Sequence, residues 1–297
     1  MSERLTKCPL CKSGHFLNHQ EIKDHAVTKE TFILCKCTRC QLLFTNPRPE
    51  ESEIAPYYEF PEYFSHKDQS TSLTQSLYNI ARKRNIKGKI SLIEQFQKSG
   101  RWLDYGCGTG ELLLAAKEKS WKVAGVEPND KARTLANSKL EGKVVKSLED
   151  LQDSKKYEVI TLFHVLEHIH SLRKTLKSIL KLLKSNGYLI IAVPNPESWD
   201  AKTYGTYWAG WDVPRHLYHF NKTCIHGLQE LFPVQLIAEE PMKMDSYYVS
   251  LLSEGYQHGN KKSFGNYLRG FISGMKSNSK AKDTQNYSSN IFIFQKK

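Results

Sequence analysis

From residue 101 onward, apolar positions fall into short runs separated by stretches with a helical rhythm. Trp102-Leu103 reads as a buried strand running into Asp104, and Glu111–Lys119 has helical composition without a breaker. Lys122–Glu127 is a second strand, Asn129–Lys139 a helix capped by Asn129 or Asp130, and Lys143–Val145 a short third strand. Tyr157–Phe163 is the fourth strand. Ser171 then caps a helix whose apolar face is Leu172, Leu176, Ile179, Leu180 and Leu183. Asn186-Gly187 ends it, and Tyr188–Val193 is the fifth strand. A helix from Asn221 or Thr223 to about Leu231 follows, then strands at Gln235–Glu239 and Asn290–Gln295. Such alternation predicts an α/β fold with a doubly wound, mostly parallel sheet. Residues 245–289, rich in Ser, Asn and Lys, read as an irregular insertion before the last strand.

Upstream the pattern changes. Ser76–Gln97 reads as a helix with Ile86, Ile90, Ile93 and Phe96 on one face, weakened at Gly88. Pro56–Phe64 holds five aromatic residues, which can line a pocket or fasten the N-terminal segment to the main domain. Residues 1–47 are too few to bury a sizeable core. The expected organisation is therefore 1–47 as a small N-terminal unit, 48–100 as linker and helical cap, and 101–297 as the main domain.

Five of the seven cysteines lie in the first 40 residues. Cys8-Pro9-Leu10-Cys11 and Cys37-Thr38-Arg39-Cys40 are two knuckles able to surround one zinc ion with four thiolates. Cys37 is preferred to Cys35 because it alone has the two-residue spacing to Cys40. A closed four-sulfur site is structural, so this would be a zinc ribbon with metal ligands Cys8, Cys11, Cys37 and Cys40.

The net charge is +12, with the densest basic patch at Arg82–Lys89. That surplus suits an acidic or phosphate-bearing partner but also fits a merely Lys-rich background. No apolar run approaches the length of a membrane span and the first residues carry no apolar signal region, so a cytoplasmic location and no membrane partner are expected.

The chemistry gathers at the strand ends. Gly106, Gly108 and Gly110 follow the first strand, and Glu127, about twenty residues beyond the glycines, can accept hydrogen bonds from both hydroxyls of a ribose. The spacing is GxGxG rather than the GxGxxG of dinucleotide sites, and Glu111 at the helix start would repel a phosphate. A cationic cofactor without phosphate suits this loop better.

Leu103–Gly110, Gly125–Glu127, Tyr157–Ile160 with His164–His168, and Leu182–Asn195 together resemble class I S-adenosylmethionine-dependent methyltransferases over roughly 101–240. The resemblance implies a Rossmann-like sheet of seven strands, the last antiparallel. It implies that Asp104, Gly106 and Gly108 shape the methionine pocket, that Glu127 holds the ribose, and that Ser147 and Leu148 lie near the adenine. Phe163 and His164 would lie beside the methionine and the sulfonium, and the faces of Phe163 and the Tyr57/Tyr58 cluster would attract a sulfonium. The two knuckles followed by Asn46-Pro47-Arg48-Pro49 resemble a bacterial subgroup of these enzymes with an N-terminal zinc ribbon. The Trp211–His216 run resembles a segment of the same subgroup.

Residues 204–220 follow the fifth strand and should lie over the active-site face. They hold three Tyr, two Trp, two His, one Arg and one Asp. His216 is the leading candidate for a general base, with His164 and His168 behind it; alternatively Trp211, Arg215 and His216 only fasten the loop. The expected activity is methyl transfer from S-adenosylmethionine to a small-molecule or sugar-type acceptor, at oxygen or carbon. An RNA methyltransferase gripping its substrate through the ribbon and the basic helix is the second reading, and a non-catalytic binding protein of the same fold the third. The acceptor and the oligomeric state are not written in the sequence.

Overall fold

The computed structural model describes residues 2–58, 73–151, 155–259 and 263–297. At the N-terminus, β1 (Ser2–Glu3) pairs with β5 (Arg48–Pro49). Between them β2 (Phe16–Lys23), β3 (Thr31–Cys37) and β4 (Leu43–Thr45) form an antiparallel ribbon. Its fourth strand comes from far along the chain: β11 (Tyr218–His219) pairs with β4. Helix α1 covers Leu73–Phe96, against the expected 76–97, with Ile90 and Ile93 buried. The aromatic residues expected at 60, 63 and 64 lie outside the described residues.

The central sheet contains β6 (Arg101–Tyr105), β7 (Lys122–Val126), β8 (Val144–Val145), β9 (Tyr157–Phe163), β10 (Leu183–Pro194), β12 (Val234–Pro241) and β13 (Ser289–Lys296). Its order is β12-β13-β10-β9-β6-β7-β8. The pairs from β10 to β8 are parallel, whereas β13 runs antiparallel to both β10 and β12. This is the expected sheet, reversed last strand included.

Successive residues of the inner strands enter cores on opposite faces, as the period of two requires. Leu103, Ile160, Leu162, Ile191 and Val193 face one way; Trp102, Val159, Ile190 and Ala192 face the other. Helices α2 (Glu111–Glu118) and α3 (Asp130–Leu140) cover the second face with α1. Asn129 is the α3 cap, accepting from the Ala132 amide at 3.0 Å. Helix α4 (Leu172–Leu182) covers the first face through Leu172, Leu176, Ile179 and Leu180, all buried, while Leu183, the fifth residue expected on that face, is buried as the first residue of β10. Strand β10 starts at Leu183 rather than Tyr188, with an irregular register across Asn186 (φ +62°) and Gly187.

The ribbon packs directly on the main domain: Cys8, Leu10, Cys37, Leu42 and Phe44 share one buried cluster with Leu103, Ile160 and Leu176. One feature departs from expectation. Residues 245–289 are largely helical rather than irregular. α8 (Asp245–Gln257) and α9 (Phe264–Thr284) pack closely because their facing residues are small. A Cβ on Gly270 would stand 2.8 Å from Leu251 Cα, and one on Gly274 would stand 2.7 Å from Tyr247 Cα. Between β10 and the C-terminal strands, α5 (Trp199–Tyr204), α6 (Lys222–His226) and α7 (Leu228–Leu231) complete the helices, so the helix expected over 221–231 is two short ones.

Candidate active site

The glycine turn closes over the end of β6. Gly106, Gly108 and Gly110 all have positive φ (+77°, +54°, +80°), a region that disfavours a side chain. The amides of Gly106 and Cys107 both donate to Val126 O, fastening the turn to β7. A Cβ on Gly106 would lie 2.4 Å from Val165 Cγ2, whereas one on Gly108 would meet nothing within 4 Å. Gly106 is thus fixed by packing, and Gly108 leaves open space beside bare backbone.

Glu127 lies against this turn. Its Oε2 accepts from the Gly108 amide at 2.8 Å and its Oε1 from the Asn129 amide at 2.9 Å. Each oxygen keeps a second lone pair, so the carboxylate is oriented and still able to accept two hydroxyls. Burial pushes its pKa up, and these amides oppose the rise. Asp104 is 5% exposed and accepts from the Thr161 hydroxyl. Burial lifts its pKa to about 6, against the Thr161 hydrogen bond and the charge of Lys89. Ser147 and Leu148 stand just past β8, on the Glu127 side: the Glu127 amide donates to Val145 O, two residues earlier. Ser147 exchanges hydrogen bonds with Asp150, and Leu148 packs on the main core. Two carboxylates with bare backbone between them are the kind of acceptor set that the amino and ribose groups of S-adenosylmethionine call for.

Phe163 ends β9. Its ring already holds a cation, because Lys89 Nζ lies 4.0 Å from the centroid. Lys89 thus points its charge into the site, among Phe163, Asp104 and Asp245. Arg82, from the same basic patch, pairs with Glu111 at 2.9 Å. Glu111 also receives bonds from Thr109 and Lys139; burial raises its pKa, but these partners outweigh burial and hold it near about 2.

Beside the turn, where Val165 packs on Gly106, is a set of buried and half-buried imidazoles and carboxylates. His164, in the left-handed region at φ +57°, has Nε2 2.9 Å from Asp245 Oδ2 and Nδ1 3.7 Å from Glu167 Oε1. Burial opposes its charge, but Asp245 and Glu167 prevail and raise its pKa to about 9. The two carboxylates about it thus favour the protonated form of His164. His216 Nδ1 is 2.9 Å from Gly210 O, so that nitrogen carries a proton donated to the carbonyl. Its Nε2 faces Glu167 at 4.0 Å and Asp212 at 3.9 Å. Glu167 is 1% exposed, and neither oxygen has a hydrogen-bond partner among the described residues. His168 Nδ1 contacts Arg215 O at 2.9 Å and the Tyr58 hydroxyl at 3.0 Å; burial, with His216 adding to it, lowers its pKa to about 4.

Arg215 is the fastener in the loop. It is 2% exposed, bonds Asp212 through two nitrogens, donates to Tyr57 O at 2.8 Å, and reaches Asp24 of the ribbon at 3.4 Å. Tyr57 and Tyr58 thus join the ribbon and the loop: the Tyr57 hydroxyl donates to Glu30, and Tyr58 meets His168. Sequence reasoning missed Lys89, Glu167 and Asp245 as site residues. The signal for Glu167 was its place within the His164–His168 motif; for Asp245, in the supposed insertion, there was none.

In the ribbon, Cys8 Sγ lies 3.5 Å from Cys40 Sγ, and Cys11 Sγ 3.5 Å from Cys37 Sγ. The knuckles repeat one geometry. Lys12 N donates to Cys8 O and Gln41 N to Cys37 O, both at 3.0 Å, and Lys12 and Gln41 both have positive φ. The four sulfurs lie within 4.8 Å of one another, compatible with one shared zinc ion, and Cys35 stands outside, its thiol directed to Asn18.

A family profile described as a methyltransferase domain matches residues 78–232, more than half of the chain. The ubiquinone biosynthesis O-methyltransferase of Pelagibacter ubique is 32% identical over 133 residues, covering 40% of this chain and 54% of that protein. The enzyme of the same name from Rickettsia conorii is 25% identical over 168 residues, covering 52% and 54%. The chain thus spans about half the length of these curated relatives. A solved SAM-dependent methyltransferase from Archaeoglobus fulgidus is 21% identical with a TM-score of 0.46, covering 72% of this chain and 94% of its own. Sheet order, glycine turn and matched profile agree, and the chain belongs to the methyltransferase-domain family.

Proposed function

We propose that the protein transfers a methyl group from S-adenosylmethionine to a small-molecule or sugar-type acceptor, with His216 as the general base and a structural zinc held by Cys8, Cys11, Cys37 and Cys40. The observation that carries the reading is the pairing of the open turn at Gly108 with the oriented carboxylate of Glu127. Asp104 would take the amino group, Glu127 the ribose hydroxyls, and Ser147 and Leu148 the adenine side. Lys89 would leave the Phe163 face to meet the methionine carboxylate.

The cofactor, when bound, supplies an electrophilic methyl on a positively charged sulfur. The chain's residues do the rest by alignment and proton removal. His216 Nε2 takes the acceptor's proton, and Glu167 at 4.0 Å stabilises the imidazolium that results. The relatives named for O-methylation support an oxygen acceptor. The zinc-ribbon subgroup is supported by the convergence of the four thiols.

Within the basic patch Lys89 and Arg82 are engaged at the site, whereas Lys83, Arg84 and Lys87 stay exposed, so RNA remains the second reading. A labelled-methyl transfer screen of wild-type protein and His216→Ala against small-molecule and RNA fractions tests the choice. Label in the small-molecule fraction, lost with the variant, is expected. Label confined to RNA, or full turnover by His216→Ala, would replace the acceptor class or the base respectively. No transfer and no binding of the cofactor would leave a non-catalytic protein.

A further inference from the structure

The hairpin of α8 and α9 is built inside out. Helix α9 turns Asn266, Gly270, Gly274, Ser277 and Ala281 toward the protein. Its large apolar residues point outward: Phe264 is 82% exposed, Leu268 50%, Phe271 57% and Met275 49%. These four lie at i, i+4, i+7 and i+11, a single stripe along the helix. Tyr267 borders it, and on α8 Tyr248 is likewise exposed. A helix that only capped the domain would bury the Phe residues and expose the Ser and Asn. A contiguous exposed apolar face of this kind marks an interaction surface.

The charges around the stripe indicate its partner. Lys243, Lys276, Lys280 and Lys282 are all exposed. Asp283 is the one exposed carboxylate in residues 243–259 and 263–284. Two copies meeting through this face would bring like charges together, on chains that each carry +12. An anionic bilayer offers what the face lacks: hydrocarbon for the stripe and negative headgroups for the lysines. Among the described residues no helix is long and apolar enough to cross a membrane. Lying in the interface needs only one apolar face, and α9 has one.

We propose that the outer face of the α8–α9 hairpin docks the protein on an anionic lipid surface, with Phe264, Leu268, Phe271 and Met275 entering the interface and the lysines meeting the headgroups. This rests on the hairpin alone and is independent of the methyl acceptor.

The full chain is sedimented with vesicles of phosphatidylglycerol and phosphatidylcholine, and with phosphatidylcholine alone. Expected are binding to the anionic vesicles that falls with salt, and a loss of about tenfold or more in Phe264→Glu/Phe271→Glu. Lys276→Glu/Lys280→Glu should remove the preference for anionic lipid. Hydrogen exchange of wild-type protein with anionic vesicles should protect 264–276, a readout that does not depend on any variant folding. Absence of binding at low salt, or equal binding to both vesicle types, overturns the proposal. So does a dimer that Phe271→Glu dissociates while vesicles bind nothing, which would assign the face to a second copy.

Discussion

Asp245 Oδ2 lies 2.9 Å from His164 Nε2, joining the first residue of α8 to the residue that follows β9. The contact roots the C-terminal hairpin at the carboxyl edge of the sheet. It also fixes the charge of the imidazole, because Glu167 approaches the other ring nitrogen. Two carboxylates about one imidazole favour its charged form, and the contact ties the helix to the strand end.

The consequence for pH follows in sign. The pKa of His164 rises from 6.5 to about 9 on folding, so its stabilising contribution is complete below pH 6.5 and is lost as pH rises through 9. Asp245 is lowered, burial being outweighed by His164, so its contribution is present above its usual 3.8 and disappears as pH falls below that. The wild-type thermal midpoint should therefore decline between pH 6.5 and 9 more steeply than that of Asp245→Asn. In a histidine NMR titration the His164 midpoint should lie well above 6.5 and drop in the variant. A midpoint near 6.5 in both proteins would disprove the pairing.

The sheet was readable because its strands are short apolar runs ended by the residues that stop them, such as Gly106 after Tyr105 and Asn195-Pro196 after Pro194. The hairpin was unreadable for the opposite reason. Gly270, Gly274, Ser246 and Ser250 are chosen for close approach of two helices, and in sequence they look like a loop. The turn at Gly106–Gly110 and Glu127 were legible because their spacing is local. Arg215 to Asp24 spans 191 positions, and no local pattern announces it. Nor does periodicity reveal that Cys8 and Leu176 share a core.

Glu127 serves the turn and, on the proposed reading, the ribose. Glu127→Ala should weaken S-adenosylmethionine binding by about a hundredfold, the expectation for losing two hydrogen bonds to a charged acceptor at ~1.5 kcal/mol each. Glu127→Gln keeps an acceptor oxygen and should lose less. Titration calorimetry of both variants checks this; an unchanged dissociation constant for Glu127→Ala would remove the residue from the site.

Arg215 is buried between Asp212 and Asp24, and its removal would leave Asp212 without the cation that outweighs burial in keeping it ionised. Arg215→Ala should cost about 3–5 kcal/mol, the range for breaking one side of a buried pair. Lysine, a point charge without the planar fork, should recover only part of it. Urea denaturation gives the comparison. Because the arginine holds the ribbon as well as the loop, susceptibility to proteolysis should rise near Asp24 as well as near Asp212. A change confined to the loop would mean that the Asp24 contact adds nothing.

The shared core sets the effect of metal removal. An autonomous ribbon would melt alone and leave the main domain unchanged. Here Cys8, Cys37, Leu42 and Phe44 pack with Leu103 and Ile160, so losing the ribbon exposes part of the face that α4 covers. Metal analysis should give one zinc per chain in wild-type protein and in Cys35→Ser, and none in Cys37→Ser. Cys37→Ser should unfold in one transition with its midpoint lowered by about 6 °C, equivalent to about 4 kcal/mol at this chain length. Calorimetry distinguishes the cases: a separate low-temperature transition, with the main one unmoved, would show that the ribbon and the domain do not stabilise each other.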